Sequence, residues 1–131
     1  MAQVKYLLDT NALLWWLTDS EKLSKKARQV VSKPDHALYV SAATGWELAT
    51  KVRIGKLDEA RPLLQDLGSR LAREYIDVLP IDMSAAVLAG SMVHAHRDPF
   101  DRMIAAQATI EKMAVVSSDE IFDLLVGRRV W

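Results

Sequence analysis

Cysteine is absent from the 131 residues of the sequence. This absence excludes disulfide bonds and thiolate metal sites, and it fits a protein of the reducing cytoplasm. A metal site in this chain must therefore be built from oxygen or imidazole ligands.

A net charge is also absent, because 17 basic and 17 acidic side chains give a formal charge of +0 at pH 7. A protein that binds nucleic acid through overall positive charge would not have such a balance. Any nucleic-acid partner must therefore be held by local basic patches. Long apolar runs are lacking too, and none approaches the roughly 18 residues of a membrane span. Strand-like sequence begins at once, without the pattern of a signal peptide. We therefore expect a cytoplasmic protein with no membrane association.

The sequence does contain enough apolar material for a hydrophobic core. Hydrophobic residues make up 50% of the chain, and no repeat, low-complexity tract or linker interrupts it. A chain of this length suits one domain with a core of its own. We expect a single domain over residues 1–131.

The first informative stretch is an apolar run that stops at a carboxylate. Residues 4–8 have the pattern of a buried strand, and Asp9 follows directly. Thr10 and Asn11 then offer N-cap chemistry for a helix that begins at Ala12. Asp9 would lie where a parallel strand leads into a helix, which is where open α/β sheets bind ligands. The alternative is that Asp9 serves only as part of the helix cap.

The rest of the chain alternates short strands with helices. Further strands are predicted at residues 37–41, 76–81 and 114–118, with a last one at 128–131. Helices are predicted from Ala42 to Arg53 after a Ser41 cap, from Arg61 to Glu74, from Ala85 to His96 after a Ser84 cap, and from Pro99 onward. This alternation predicts an α/β fold, a three-layer α/β/α sandwich around a short, mostly parallel sheet of four or five strands.

Two acidic residues lie near the starts of predicted helices. Glu47 is flanked by Trp46 and Leu48, so it should be partly buried and needs a partner. Asp101 occupies the third position of a helix that Asp98 begins as N-cap, with Pro following at the first helical position. An Asp there closes a capping box less well than Glu or Gln, so capping explains Asp98 better than it explains Asp101.

These acids should meet at one edge of the sheet. The carboxyl ends of parallel strands and the amino ends of the following helices lie together, which would bring Asp9 and Asp119 close to Glu47 and Asp101. Crowded carboxylates need a compensating cation or a strongly raised pKa. Oxygen ligands without Cys suit Mg²⁺ or Mn²⁺, ions that assist phosphodiester chemistry. His94 and His96 are expected at the surface or in a supporting role.

Five short motifs, in this order and spacing, carry a resemblance to a known family. They are Leu7-Leu8-Asp9-Thr10-Asn11, Trp46-Glu47-Leu48, Gly55-Lys56-Leu57, Asp98-Pro99-Phe100-Asp101-Arg102 and Ser117-Ser118-Asp119. Through them nearly the whole chain resembles the PIN-domain (PilT N-terminus) nucleases, and among these the VapC-type toxins of type II toxin–antitoxin systems.

The resemblance implies a metal-dependent endoribonuclease that cleaves RNA with metal-activated water. Asp9, Glu47, Asp101 and Asp119 match the acidic quartet of the family. Asp9, Asp101 and Asp119 would hold one or two Mg²⁺ or Mn²⁺ ions, and Glu47 would complete the cluster.

Further residues would support this site. Thr10 and Ser117 match positions whose hydroxyls support the carboxylates by hydrogen bonds, and Asp98 would act as a cap or supporting group. The candidates for contacting the RNA backbone are Lys51, Arg53, Arg97 and Arg102. The resemblance also implies a homodimer and a cognate antitoxin protein.

Other functions remain open at this stage. One is a PIN-domain ribonuclease with a housekeeping role in RNA processing. A phosphatase with Asp9 as nucleophile would need a second Asp two residues later, where this chain has Asn11. A phosphoacceptor receiver domain is disfavoured because Asp9 lies too early in the chain. The last alternative is a non-catalytic metal-binding module.

Overall fold

A five-stranded parallel sheet forms the centre of the molecule. The computed structural model describes residues 3–94 and 96–131. The strands are β1 (Lys5–Leu8), β2 (Ala37–Ser41), β3 (Ile76–Leu79), β4 (Ala114–Val116) and β5 (Arg129–Val130), in the spatial order β3-β2-β1-β4-β5. Met1, Ala2 and Ala95, which the sequence placed before the first strand and in the helix predicted to end at His96, lie outside the described residues.

Helices cover both faces of the sheet. They are α1 (Thr10–Leu17), α2 (Lys25–Ser32), α3 (Ala42–Arg53), α4 (Arg61–Leu64), α5 (Leu67–Arg73), α6 (Met83–Ser91), α7 (Pro99–Glu111) and α8 (Ile121–Leu125), with a 3₁₀ turn at Asp58–Ala60. In the part of the chain that the structure describes, no helix has the length and apolar character to cross a bilayer.

The strand residues alternate between two apolar clusters. Leu8 and Val116 pack with α1, α2 and α5 on one face, whereas Leu7 and Val115 pack with α7 and α8 on the other. Because successive side chains of a strand point to opposite faces, a strand covered on both sides reads as one continuous apolar run. The predicted three-layer α/β/α fold is confirmed, and the extent of the domain stays a prediction.

Two helix starts differ from the sequence expectation. Asp9, rather than Thr10 or Asn11, is the N-cap of α1, which begins at Thr10. Asp82 rather than Ser84 caps α6, because its carboxylate accepts the Ala85 amide at 2.9 Å. The predicted Ser41 cap of α3 is confirmed.

Other element bounds also differ, and β4 ends at Val116 rather than at residue 118. The helix predicted from Arg61 to Glu74 is two helices, α4 and α5. Leu63 of α4 belongs to an apolar cluster with Leu48 of α3, whereas Leu71 of α5 belongs to the cluster that contains Leu13 of α1. The third strand stops at Leu79, since Pro80 has no N–H to continue the ladder. Helix α6 ends at Ser91 instead of His96.

Candidate active site

Asp9 is a buried acid at the carboxyl edge of the sheet. It is 7% exposed, and its Oδ1 accepts the Ala12 amide at 2.8 Å while Ser117 donates its hydroxyl proton to Oδ2. The pKa of Asp9 is raised to about 6, chiefly by burial; the two hydrogen bonds oppose this rise, and the negative charges of Asp101 and Glu47 contribute to it. Asp9 therefore lies within electrostatic reach of two other acids.

Glu47 is buried on α3 and fully engaged by two neighbours. Thr10 donates its hydroxyl proton to Oε1, and Lys51 Nζ lies 2.6 Å from Oε2. Thr44 Oγ1 is 3.1 Å from Thr10 Oγ1. Since the single Thr10 proton goes to Glu47, Thr44 is the donor in that pair. The carboxylate is thus held in one orientation from both sides.

Asp101 is half-buried near the start of α7. Its Oδ2 is 3.0 Å from His96 Nε2. Burial raises the pKa of Asp101, the His96 hydrogen bond opposes this, and the charges of Asp98 and Glu47 add to it. Asp98 caps the helix as the sequence predicted, accepting the amides of Phe100 and Asp101 on Oδ1. His96 therefore has the supporting position expected for it.

Asp119 joins the site through Ser117. Its backbone amide donates to Ser117 Oγ at 2.9 Å, and the same hydroxyl donates to Asp9. The Asp119 side chain is exposed, and its Oδ1 accepts the Ile121 amide at 3.0 Å at the start of α8. The structure thus links the Asp119 backbone to Asp9 through Ser117 in the loop after β4, while the Asp119 carboxylate is turned toward its own loop.

Two arginines have roles that the sequence did not reveal. Arg102, expected to contact RNA, donates to the backbone carbonyls of residues 89, 92, 94 and 96. It therefore holds the connection from α6 to α7, which carries His96. Arg129 donates to the Ser117 carbonyl at 3.1 Å and to Asp123 Oδ1 at 3.0 Å. No local sequence signal marks these contacts, because the partners lie outside the helix or strand that carries each arginine.

The oxygen donors of the site suit a divalent cation. Carboxylate oxygens are the ligands that Mg²⁺ and Mn²⁺ prefer, and a cation would balance the negative charges of Asp101 and Glu47 that act on Asp9. Among residues 3–94 and 96–131, no three His, Asp or Glu side chains already form a group that could hold an ion. Each acid is oriented by its own neighbour instead. The type of donor atom fits the metal, but side chains must rearrange to complete the coordination.

The family is decided by a match over most of the chain. A sequence model described as "PIN domain" matches residues 6–126. The chain belongs to the PIN-domain family. The match includes Asp9, Glu47, Asp101 and Asp119, which lie at one edge of this PIN domain. The family resemblance expected from the sequence is confirmed.

Named relatives agree with this membership. "Ribonuclease VapC22" of Mycobacterium tuberculosis is 32% identical over 114 residues, which cover 86% of this chain and 85% of that protein. Solved structures share the fold at low identity. VapBC2 from Rickettsia felis, described as bound to a DNA fragment from its promoter, has a TM-score of 0.67 at 16% identity and covers 98% of this PIN domain and 100% of that chain. FitAcB from Neisseria gonorrhoeae has a TM-score of 0.63 at 22% identity, with 95% and 94% covered.

Proposed function

We propose that this PIN domain is a divalent-metal-dependent endoribonuclease and the toxin of a toxin–antitoxin pair. One observation carries the proposal. Asp9, Glu47 and Asp101 come from three separate parts of the fold, and the last two lie close enough to Asp9 for their charges to contribute to its raised pKa. The relative named Ribonuclease VapC22 supports RNA as the substrate class.

Asp9, Asp101 and Asp119 are the proposed ligands of Mg²⁺ or Mn²⁺, with Glu47 completing the acidic cluster. A bound ion of this kind supplies a Lewis acid for the phosphate and an activated water as nucleophile. Ser117 and the Ala12 amide hold the Asp9 carboxylate in one orientation. Oriented carboxylates reduce the rearrangement that ion binding requires.

The remaining acids are held for the same purpose. Thr10 and Lys51 orient Glu47, and His96 orients Asp101. Lys51 Nζ also pairs with the buried Glu47 carboxylate at 2.6 Å and balances its charge. We propose that Glu47 acts through charge and orientation, while the three aspartates provide the metal ligands.

The substrate and the partners form a second part of the proposal. Arg53 and Arg97 are exposed and suited to contacting RNA phosphates, whereas Lys51 and Arg102 already have partners in the protein. The solved neighbours named VapBC support an antitoxin as partner. Such a protein could place an Arg against the carboxylates in bidentate pairing. We further propose a homodimer in the cytoplasm.

A cleavage assay tests the proposal. Labelled RNA is incubated with the purified protein in Mn²⁺, in Mg²⁺ and in EDTA. We expect cleavage that requires the metal and that Asp9→Asn abolishes, while the circular dichroism of the variant stays native. Asp77→Asn, which changes an exposed acid on β3, is the matched control and should cleave normally. Full activity in Asp9→Asn would refute the proposed chemistry.

A second experiment separates a toxin from a housekeeping ribonuclease. Induced expression of the chain should arrest bacterial growth, and co-expression of an antitoxin from the neighbouring gene should relieve the arrest. RNA cleavage in vitro without growth arrest would favour the housekeeping role.

A further inference from the structure

An exposed aromatic pair lies beside the acids and has no part in the chemistry described so far. Trp46 is 62% exposed, and its ring meets the half-buried Phe100 edge to face, with centroids 4.8 Å apart and an interplanar angle of 76°. Water contact over so much of a Trp ring is unfavourable for folding. The exposed ring therefore points to a binding role.

On the basis of the ribonuclease function proposed above, we propose that Trp46, supported by Phe100, stacks a base of the single-stranded RNA substrate. Each ring directly precedes an acid in the chain, since Trp46 adjoins Glu47 and Phe100 adjoins Asp101. Because the contact between the two rings joins α3 to the first turn of α7, a base on Trp46 would lie on the same side of the molecule as Glu47 and Asp101.

Phe100 gives the Trp46 ring a rigid support. Its backbone amide is held by Asp98 at 2.9 Å, within the capped first turn of α7. An apolar cavity of about 200 Å³ opens beside Trp46, with Ile81 and Met103 among its walls. A flat uncharged ring suits such surroundings, and a phosphate does not.

A cation follows the aromatic ring on the same face of α3. Residues 42, 46, 49 and 53 form its exposed stripe, and Arg53 lies seven positions beyond Trp46. At 1.5 Å per residue this separation is about 10 Å along the helix. Arg53 forms no ion pair within the part of the chain that the structure describes. Sites that bind single-stranded nucleic acid combine aromatic rings, on which bases stack, with cations that contact the phosphates.

Because the net charge is zero, local contacts such as those of Trp46 and Arg53 must supply the affinity for RNA. With a formal net charge of +0, the chain has no general attraction for RNA. Stacking supplies a part of the affinity that does not depend on salt. The phosphate contact of Arg53 supplies a part that weakens as the salt concentration rises. The two contributions therefore have different experimental signatures.

The test measures binding of a labelled 12-nucleotide RNA by anisotropy, in EDTA and in Ca²⁺, together with a fully abasic oligomer of the same length. Stacking contributes about 5-fold to 150-fold in affinity per base. We expect Trp46→Ala to reduce the affinity for RNA at least about 5-fold and to leave the affinity for the abasic oligomer unchanged. Trp46→Phe should retain most of the affinity for RNA. Tyr75→Ala, which removes an 88% exposed ring at the opposite edge of the sheet, should bind like the wild type.

The salt dependence provides a second readout. Arg53→Gln should reduce the slope of log affinity against log salt by about 0.7, the value for one phosphate of a single strand. Trp46→Ala should leave that slope unchanged. Equal losses on RNA and abasic oligomer would show that Trp46 acts on the fold, and would overturn the proposal.

Other outcomes separate this proposal from the function itself. If the wild type cleaves RNA but Trp46→Ala binds RNA as tightly and loses affinity only for an antitoxin, the ring is a protein contact and the stacking proposal fails. Absence of wild-type binding to RNA in both buffers would also refute it. Binding that depends on Trp46 without any metal-dependent cleavage would refute the ribonuclease function and leave the stacking proposal standing.

Discussion

Ser117 donates a hydrogen bond to Asp9 although the two residues are 108 positions apart in the chain. Their strands β4 and β1 are parallel neighbours, and the Asp9 amide donates to the Val116 carbonyl at 3.1 Å. The Ser117 hydroxyl also accepts the Asp119 amide. Because one hydroxyl is both donor and acceptor, it couples the positions of two proposed metal ligands.

Ser117→Ala should therefore raise the pKa of Asp9 above about 6, because the hydrogen bond that opposes the effect of burial is lost. Protons and Mn²⁺ compete for this carboxylate, so the pH below which Mn²⁺ affinity falls should move up by roughly one unit. Titration calorimetry with Mn²⁺ between pH 5.5 and 8 measures the change. The exposed neighbour provides the control Ser118→Ala, and the same pH dependence in both variants would contradict the assigned role.

The metal-free protein should be less stable at pH 7.5 than at pH 5. The pKa of Asp9 is raised from 3.8 to about 6 in the folded state, so the folded protein binds this proton more tightly than the unfolded chain. The resulting penalty is absent below pH 4, grows between pH 4 and 6, and is complete above that. It amounts to at most about 3 kcal/mol.

Urea unfolding in EDTA at the two pH values measures this penalty, with Asp9→Asn as the comparison. The variant should be more stable than the wild type at pH 7.5, and it should show a smaller pH dependence. Some dependence of the same sign should remain, since the pKa of Asp101 is also raised. Parallel pH profiles for wild type and variant would show that Asp9 is not the group responsible.

Lys51→Met should destabilise the metal-free protein at neutral pH. The change leaves the buried Glu47 carboxylate without the cation 2.6 Å away. The loss should be about 1–3 kcal/mol, limited by the partial exposure of Lys51. The double variant Lys51→Met/Glu47→Gln should recover much of it, because no unpaired charge is left.

Urea unfolding of the four proteins of this cycle gives the coupling free energy. Lys56→Met changes an exposed Lys five positions further along and should have little effect. Strictly additive losses in the cycle would mean that the ion pair makes no net contribution.

Arg102→Lys should loosen the segment between α6 and α7 without unfolding the sheet. A Lys can replace at most a part of the four carbonyl contacts, since it lacks the planar fork of the guanidinium. Hydrogen exchange in residues 89–98 should become at least about tenfold faster. Cleavage should also slow, because His96 would no longer be held against Asp101.

Hydrogen exchange followed by mass spectrometry measures this directly. Arg97→Lys, at an exposed position in the same segment, is the control and should exchange as the wild type does. Unchanged exchange in Arg102→Lys would show that other contacts hold the segment.

The sheet and the position of two acids were predictable because they depend on local pattern. A strand buried on both faces is a continuous apolar run, and such runs end directly before Asp9 and shortly before Asp119. The ion pair of Glu47 with Lys51 also had a local signal, the spacing of four residues on a helix. The break between α4 and α5 had none, because it arises from Leu63 and Leu71 packing into different clusters.

By itself, the sequence determined the α/β fold and which residue types reach the carboxyl edge of the sheet, because apolar periodicity and capping act over a few residues. The family followed from the resemblance of short motifs. Only the tertiary structure decided that Ser117 holds Asp9, that Arg102 clamps the segment before α7 and that Trp46 meets Phe100. These contacts join residues of different elements. Their partners follow from strand order and helix packing, which no short window of the chain contains.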